Sequence, residues 1–104
     1  MTRVLSVEPE AQNEILEAAR WYEKRSPGLG VELTFELDTV LERVLEGPQT
    51  FPIVAALGLP RVRRALLRRF PYAVIFVESR DRVDVIAFAH GRRKPMYWAA
   101  RARD

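Results

Sequence analysis

The sequence predicts an α+β fold in the order β-α-α-β-β-β, with a helical hairpin packed on one face of a sheet. Three observations predict it. A short apolar run (Val4, Leu5, Val7) is ended by Pro9. Residues 9–45 then carry apolar side chains at helical spacing, interrupted once by Ser26-Pro27-Gly28. From residue 61 onward the period drops to that of strands. The 104 residues, 48% of them hydrophobic, are enough for one domain (1–104) with a single modest core, and no linker, repeat or low-complexity tract divides them.

The elements follow in order. Residues 3–8 read as a first strand. From Pro9 to about Arg25, Ile15, Ala18, Ala19 and Tyr22 mark one helical stripe. Proline is tolerated in a first helical turn, and Glu8, Glu10 and Glu14 suit the positive end of the helix dipole. Trp21 and Tyr22 are expected in the core or in the packing of the hairpin. A second helix runs from about Leu29 to Leu45, with Leu33, Leu37, Val40, Leu41 and Val44 in line, and Gly47-Pro48 stops it. Residues 48–60 are expected to be an irregular connection.

Arg61 to Leu67 alternates, with Arg61, Arg63 and Ala65 on one face and Val62, Arg64 and Leu66 on the other. Tyr72 to Val77 is apolar on both faces, as an interior strand is. Ser79 to Arg82 is a turn. Val83 to His90 is the last strand, with Val83, Val85, Ala87 and Ala89 expected on one side and Asp84, Ile86, Phe88 and His90 on the other. Short turns make these three strands an antiparallel meander, and the whole sheet is expected to be antiparallel.

Several chemistries are excluded. There is no cysteine, hence no disulfide, thiolate metal site or cysteine nucleophile. The single histidine and the spacing of the acids offer no metal-ligand set, and Pro27-Gly28-Leu29-Gly30 lacks the rest of a phosphate loop. Ser6, Ser26 and Ser79 stand in no nucleophile-elbow context. No cofactor is expected. No apolar run approaches the roughly 18–20 residues of a membrane span, and the first residues lack a signal-peptide core, so a cytoplasmic protein without a membrane partner is expected.

Charge is the informative signal. Residues 1–50 hold five Arg/Lys against ten Asp/Glu, and residues 51–104 hold twelve against four, eleven of the twelve being arginine. The second half therefore predicts a positive surface for an anionic partner, where arginine binds phosphate or carboxylate bidentately. Two clusters carry it. Arg61, Arg63, Arg64, Arg68 and Arg69 lie on and after the first meander strand, and Arg92, Arg93 and Lys94 follow the last. They are expected to converge near Tyr72. His90, at a strand end, is a candidate general base or a simple cap of the sheet. Tyr97 and Trp98 are candidates for base stacking or for pinning the chain's end to the core.

Taken in order, these segments resemble a known family. Trp21-Tyr22-Glu23, Pro27-Gly28-Leu29-Gly30, Phe35 and Pro48-x-x-Phe51-Pro52 resemble the helical hairpin of RelE/ParE-superfamily toxins. Arg63-Arg64-Ala65-Leu66-Leu67-Arg68-Arg69-Phe70-Pro71-Tyr72 resembles their sheet, and His90-Gly91-Arg92-Arg93-x-Pro95-x-x-Trp98 resembles the C-terminal signature of the ParE-like branch. The resemblance implies a bacterial toxin–antitoxin module, the toxin neutralised by a cognate antitoxin. It is compatible with a homodimer or a toxin–antitoxin hetero-oligomer.

Two activities follow from the resemblance. ParE-like toxins block DNA gyrase, and Arg61, Arg63, Arg64, Arg68, Arg92 and Arg93 are then the expected contact surface. RelE-like toxins cut messenger RNA on the ribosome; Arg61, Arg63 and Arg93 are then charge stabilisers, with His90 or Tyr97 as the acid–base group. The endonucleases carry an arginine directly after the tyrosine that opens the central strand, where this chain has Ala73, and Tyr97 follows Arg93 more closely than their catalytic tyrosine would. Loss of one transition-state donor costs on the order of 10²–10³ in rate. These departures favour the ParE-like reading. A plain nucleic-acid-binding module is the third alternative.

Overall fold

A computed structural model describes residues 3–54 and 61–103. Part of the expected irregular connection of residues 48–60, namely 55–60, lies outside them. The elements are β1 (Val4–Val7), α1 (Pro9–Arg25), α2 (Leu29–Glu46), a 3₁₀ turn (Pro48–Thr50), β2 (Val62–Leu66), β3 (Tyr72–Glu78), β4 (Arg82–His90) and a second 3₁₀ turn (Ala99–Arg103). Their order is the one the sequence predicts. Among the described residues, no helix is long and apolar enough to cross a membrane.

The helical hairpin closes tightly for reasons visible in its turn. Gly28 takes φ +92°, a left-handed conformation that a side chain resists. The Glu23 carboxylate reaches forward and accepts hydrogen bonds from the Gly28 and Gly30 N–H groups at 2.8 and 3.0 Å, satisfying donors at the start of α2. At Gly30 the helices cross so closely that a Cβ would stand 2.6 Å from the Ala19 carbonyl oxygen.

The sheet order is β1-β4-β3-β2. β2, β3 and β4 form the expected antiparallel meander, but β1 runs parallel to β4, so the sheet is mixed rather than antiparallel throughout. The physical reason is the hairpin. Two helices return the chain to the end of the sheet from which it left, and the short β1 then lies beside the last strand. This makes β4, with β3, an interior strand.

One register detail corrects the sequence reading. Ile75 pairs with Ala87 and Phe76 with Val85, which leaves Ile86 as an extra residue in β4. Such a bulge resets the alternation. Val83, Val85 and Phe88 therefore all join the core beneath the helices, whereas Ile86 and Ala87 belong to the opposite face. The expected grouping of Val83 with Ala87, and of Ile86 with Phe88, does not hold.

Two apolar layers result. Beneath the helices, Leu33, Leu37, Val40 and Val44 of α2 and Ala11 and Ala18 of α1 pack on Val74, Phe76, Val83, Val85 and Phe88. On the helix-free face, Val62, Ala73, Ile75, Ile86 and Ala87 are covered by Trp98, itself only 4% exposed. The C-terminal segment thus folds back over the sheet and shapes the site described next.

Candidate target-binding face

The helix-free face carries a pocket of about 690 Å³. β2 contributes Arg64 and Leu66, the turn after it Arg68, and β3 Ala73 and Ile75. His90 ends β4, Arg93 and Lys94 follow it, and the returning chain supplies Met96, Tyr97 and Trp98. Strand alternation explains the selection. Arg64 is opposite Ile75 in the ladder and so lies on the helix-free face, whereas Arg63 is opposite Phe76 and lies on the other. The floor is apolar and the rim cationic.

The sequence clusters are therefore partly gathered. Arg64, Arg68 and Arg93 line the pocket with Lys94; Arg61, Arg63 and Arg92 do not. Arg63 is committed elsewhere. Its Nε donates to Glu78 at 2.7 Å and its Nη1 to the Phe51 carbonyl at 2.6 Å, fastening the segment after α2 to the sheet. Arg61 is exposed just before β2. Arg92 is exposed, and its backbone N–H donates to His90 Nδ1 at 2.9 Å. Arg69 lines the pocket, but its guanidinium is held by Glu32 of α2. The Glu36 carboxylate accepts from the Arg68 and Arg69 N–H groups and fixes the turn that presents Arg68.

The candidate acid–base groups sit at the pocket's edge. His90 accepts through Nδ1, which places its ring proton on Nε2, and its ring meets Tyr72 edge-on at 5.0 Å. The Tyr97 hydroxyl donates to Glu14 at 2.7 Å. Burial first, and then the hydrogen bond and charge of Glu14, push Tyr97 up to about 12. A tyrosine so held keeps its proton and is poorly suited to act as a general base.

Glu14 organises the whole corner, and the sequence reading treats it only as a helix-dipole residue. Besides Tyr97 it accepts from the Phe88 N–H at 3.0 Å, from Arg101 Nη1 and Nη2 at 3.1 and 3.2 Å, and from Arg93 Nη1 at 3.2 Å. Burial raises its pKa, but the hydrogen bonds from Arg101, Phe88 and Tyr97 outweigh burial and hold it below the usual carboxylate value. The cause of this clustering is an edge. β1 ends at Val7, opposite Val85, so beyond that point β4 has, among the described residues, no strand on the side away from β3. Glu14 takes the Phe88 N–H, and Arg101 donates to the Ile86 carbonyl at 3.0 Å, so the two side chains stand in for the missing strand. The signal was present in the sequence: Glu14 lies three residues after Ala11 and four before Ala18, on the inward stripe of α1.

Trp98 settles as a pin of the C-terminal segment rather than an exposed stacking ring. Within that segment Met96 takes φ +64°, unusual for a residue with a side chain. Trp98 and Tyr97 both pack on the helix-free layer, and the Tyr97 hydroxyl bonds Glu14 of α1. Tyr22 packs on Phe70 at 4.9 Å, as expected. Trp21 does not join the core; it is 50% exposed, with the Arg25 guanidinium 4.1 Å from its ring centre.

A helical hairpin on one sheet face and a cation-rimmed pocket on the other define a small α+β domain. The family model of the ParE toxin of type II toxin–antitoxin systems (parDE) matches residues 5–95, and the chain belongs to that family. Among solved structures the fold is similar to a chain of the chromosomal ParDE toxin–antitoxin system from P. aeruginosa, with a TM-score of 0.71 at 12% identity over 86% of this chain and 96% of that one. No curated protein shows significant sequence similarity to the chain.

Proposed function

We propose that this toxin acts by binding DNA gyrase through its helix-free face, without cleaving nucleic acid, and that a cognate antitoxin neutralises it. The observation that carries the reading is the state of Tyr97. Its hydroxyl is given to Glu14, and its ring lies 3.8 Å from the Arg93 guanidinium. One of the two candidate acid–base groups is thereby occupied in holding the fold. Arg64, Arg68 and Lys94 around an apolar floor suit a protein surface with acidic side chains, and Ala73 supplies no charge where the ribosome-dependent endonucleases carry arginine.

Purified gyrase tests this. Supercoiling is expected to stall at micromolar toxin, and a programmed ribosome is expected to keep its A-site codon intact. Undisturbed supercoiling, together with codon cleavage lost in His90→Ala or Tyr97→Phe, would replace this reading with the endonuclease.

A further inference from the structure

A second pocket, of about 350 Å³, opens between α1 and the end of the sheet. Its walls are rings: Trp21 and Tyr22 from α1, Tyr72 from β3, and Phe88 and His90 from β4. They brace one another. Trp21 meets Tyr22 edge-on at 4.9 Å, Tyr22 meets Tyr72 at 6.4 Å, and Tyr72 stacks on Phe88 at 4.4 Å. The box is therefore formed before anything enters it, which lowers the ordering cost of binding.

Its charges favour a cation. Glu14 and Glu17 line the α1 side, while Arg93 and His90 face it from the sheet. Glu14 and Arg93 are bound to each other and to Tyr97. Glu17 is exposed and, among the described residues, forms no ion pair. Burial, then the charges of Tyr22, Glu14 and Glu17, push the Tyr72 hydroxyl up, as expected where the local field is negative. Aromatic faces with a carboxylate at the rim recognise guanidinium and ammonium groups. The molecule uses that chemistry on either side of the box, in Arg25 on Trp21 and Arg93 on Tyr97. A planar guanidinium can stack on a ring while its edge donates to Glu17, which favours arginine over lysine.

We propose that this aromatic box receives an arginine side chain of the antitoxin, as an anchor separate from the cationic face. The proposal rests on the toxin–antitoxin reading. Tyr72, His90 and Arg93 line both pockets, so a side chain seated here touches the back wall of the target-binding face.

The test uses the two tryptophans, one in the box and one buried outside it. The purified chain is titrated with N-acetyl-arginine amide and, as an uncharged match, with N-acetyl-citrulline amide, while both indole N–H resonances are followed. The Trp21 resonance is expected to shift saturably with the arginine amide and the Trp98 resonance to stay. Glu17→Gln is expected to weaken that binding roughly tenfold, as loss of a charge-assisted contact does. Antitoxin affinity is expected to fall at least tenfold in Trp21→Ala, on the scale of an interface anchor. Equal responses to the two amides, or none, overturn the site. Arginine-selective binding with unchanged antitoxin affinity overturns the assigned occupant. So does a Trp21 shift driven by protein concentration alone, which would put a second copy of the chain in the box. The amide titration requires no antitoxin, so it stands even if the toxin–antitoxin reading fails.

Discussion

Replacing Glu14 by alanine removes a carboxylate whose side chain is 10% exposed and which accepts from Phe88, Tyr97, Arg93 and Arg101. The loss strands Arg101, whose side chain is 22% exposed, and uncaps the open edge of β4. Breaking a fully buried ion pair costs about 3–5 kcal/mol. Partial exposure of Arg93 and Arg101 lowers the expected cost here to about 2–3 kcal/mol. For a domain of this size, about 4–8 °C of Tm accompanies each kcal/mol, so thermal unfolding followed by circular dichroism is expected to fall by roughly 10–20 °C. Glu14→Gln keeps an acceptor for the Phe88 N–H and is expected to lose about half as much. A double-mutant cycle with Arg101→Met isolates the pair, with a coupling of about 1–2 kcal/mol. A drop of under 3 °C in Glu14→Ala, or strict additivity with Arg101→Met, would refute the view that this carboxylate holds the corner together.

Three further outcomes follow. The Glu14 carboxyl is depressed in the folded state relative to its ordinary 4.5, so its stabilisation is complete above about pH 4.5 and fades as pH falls through the folded value; the stability gap between wild type and Glu14→Gln is therefore expected to be level from pH 7 to 5.5 and to shrink in more acid buffer, and a gap unchanged at pH 3 contradicts this. Arg63→Met is expected to lower stability by about 1–3 kcal/mol, since it removes the close partner of Glu78, which keeps only the longer contact with Arg3, and the side-chain donor to the Phe51 carbonyl, while Arg64→Gln, on the exposed rim, is expected to leave Tm within about 2 °C; equal losses in urea unfolding would show that β2 does not divide its arginines between structure and surface. Antitoxin association, measured by stopped flow, is expected to slow severalfold between low and high salt while dissociation changes less, because screening weakens steering more than buried contacts; a salt-independent association rate opposes a role for the cationic face.

Much of the fold was legible because it rests on periodicity. The helical stripe of Leu33, Leu37, Val40 and Val44 and the run Tyr72–Val77 each have one plausible burial. What stayed hidden was set by partners distant in sequence. The bulge at Ile86 leaves no mark in a strand that reads as unbroken alternation, and it alone decides that Phe88 shares a face with Val85. The parallel pairing of β1 depends on where the hairpin returns the chain. The arginine cluster could be seen, but its division could not: Arg63 is drawn inward by Glu78, fifteen residues on, and Arg64 is left free for the pocket. Glu14 looked like one more acid on an acidic helix until the unpaired edge of β4 explained why a carboxylate stands on the inward stripe.

The claim on which the account turns is that Arg64, Arg68 and Lys94 act together on the helix-free face. Gyrase supercoiling should be measured with the triple variant Arg64→Gln, Arg68→Gln, Lys94→Gln beside a control, Arg20→Gln with Arg80→Gln, whose lost charges lie outside that pocket. The expected result is inhibition abolished in the triple variant and retained in the control, both folded by circular dichroism. Equal inhibition by the two variants would contradict the claim.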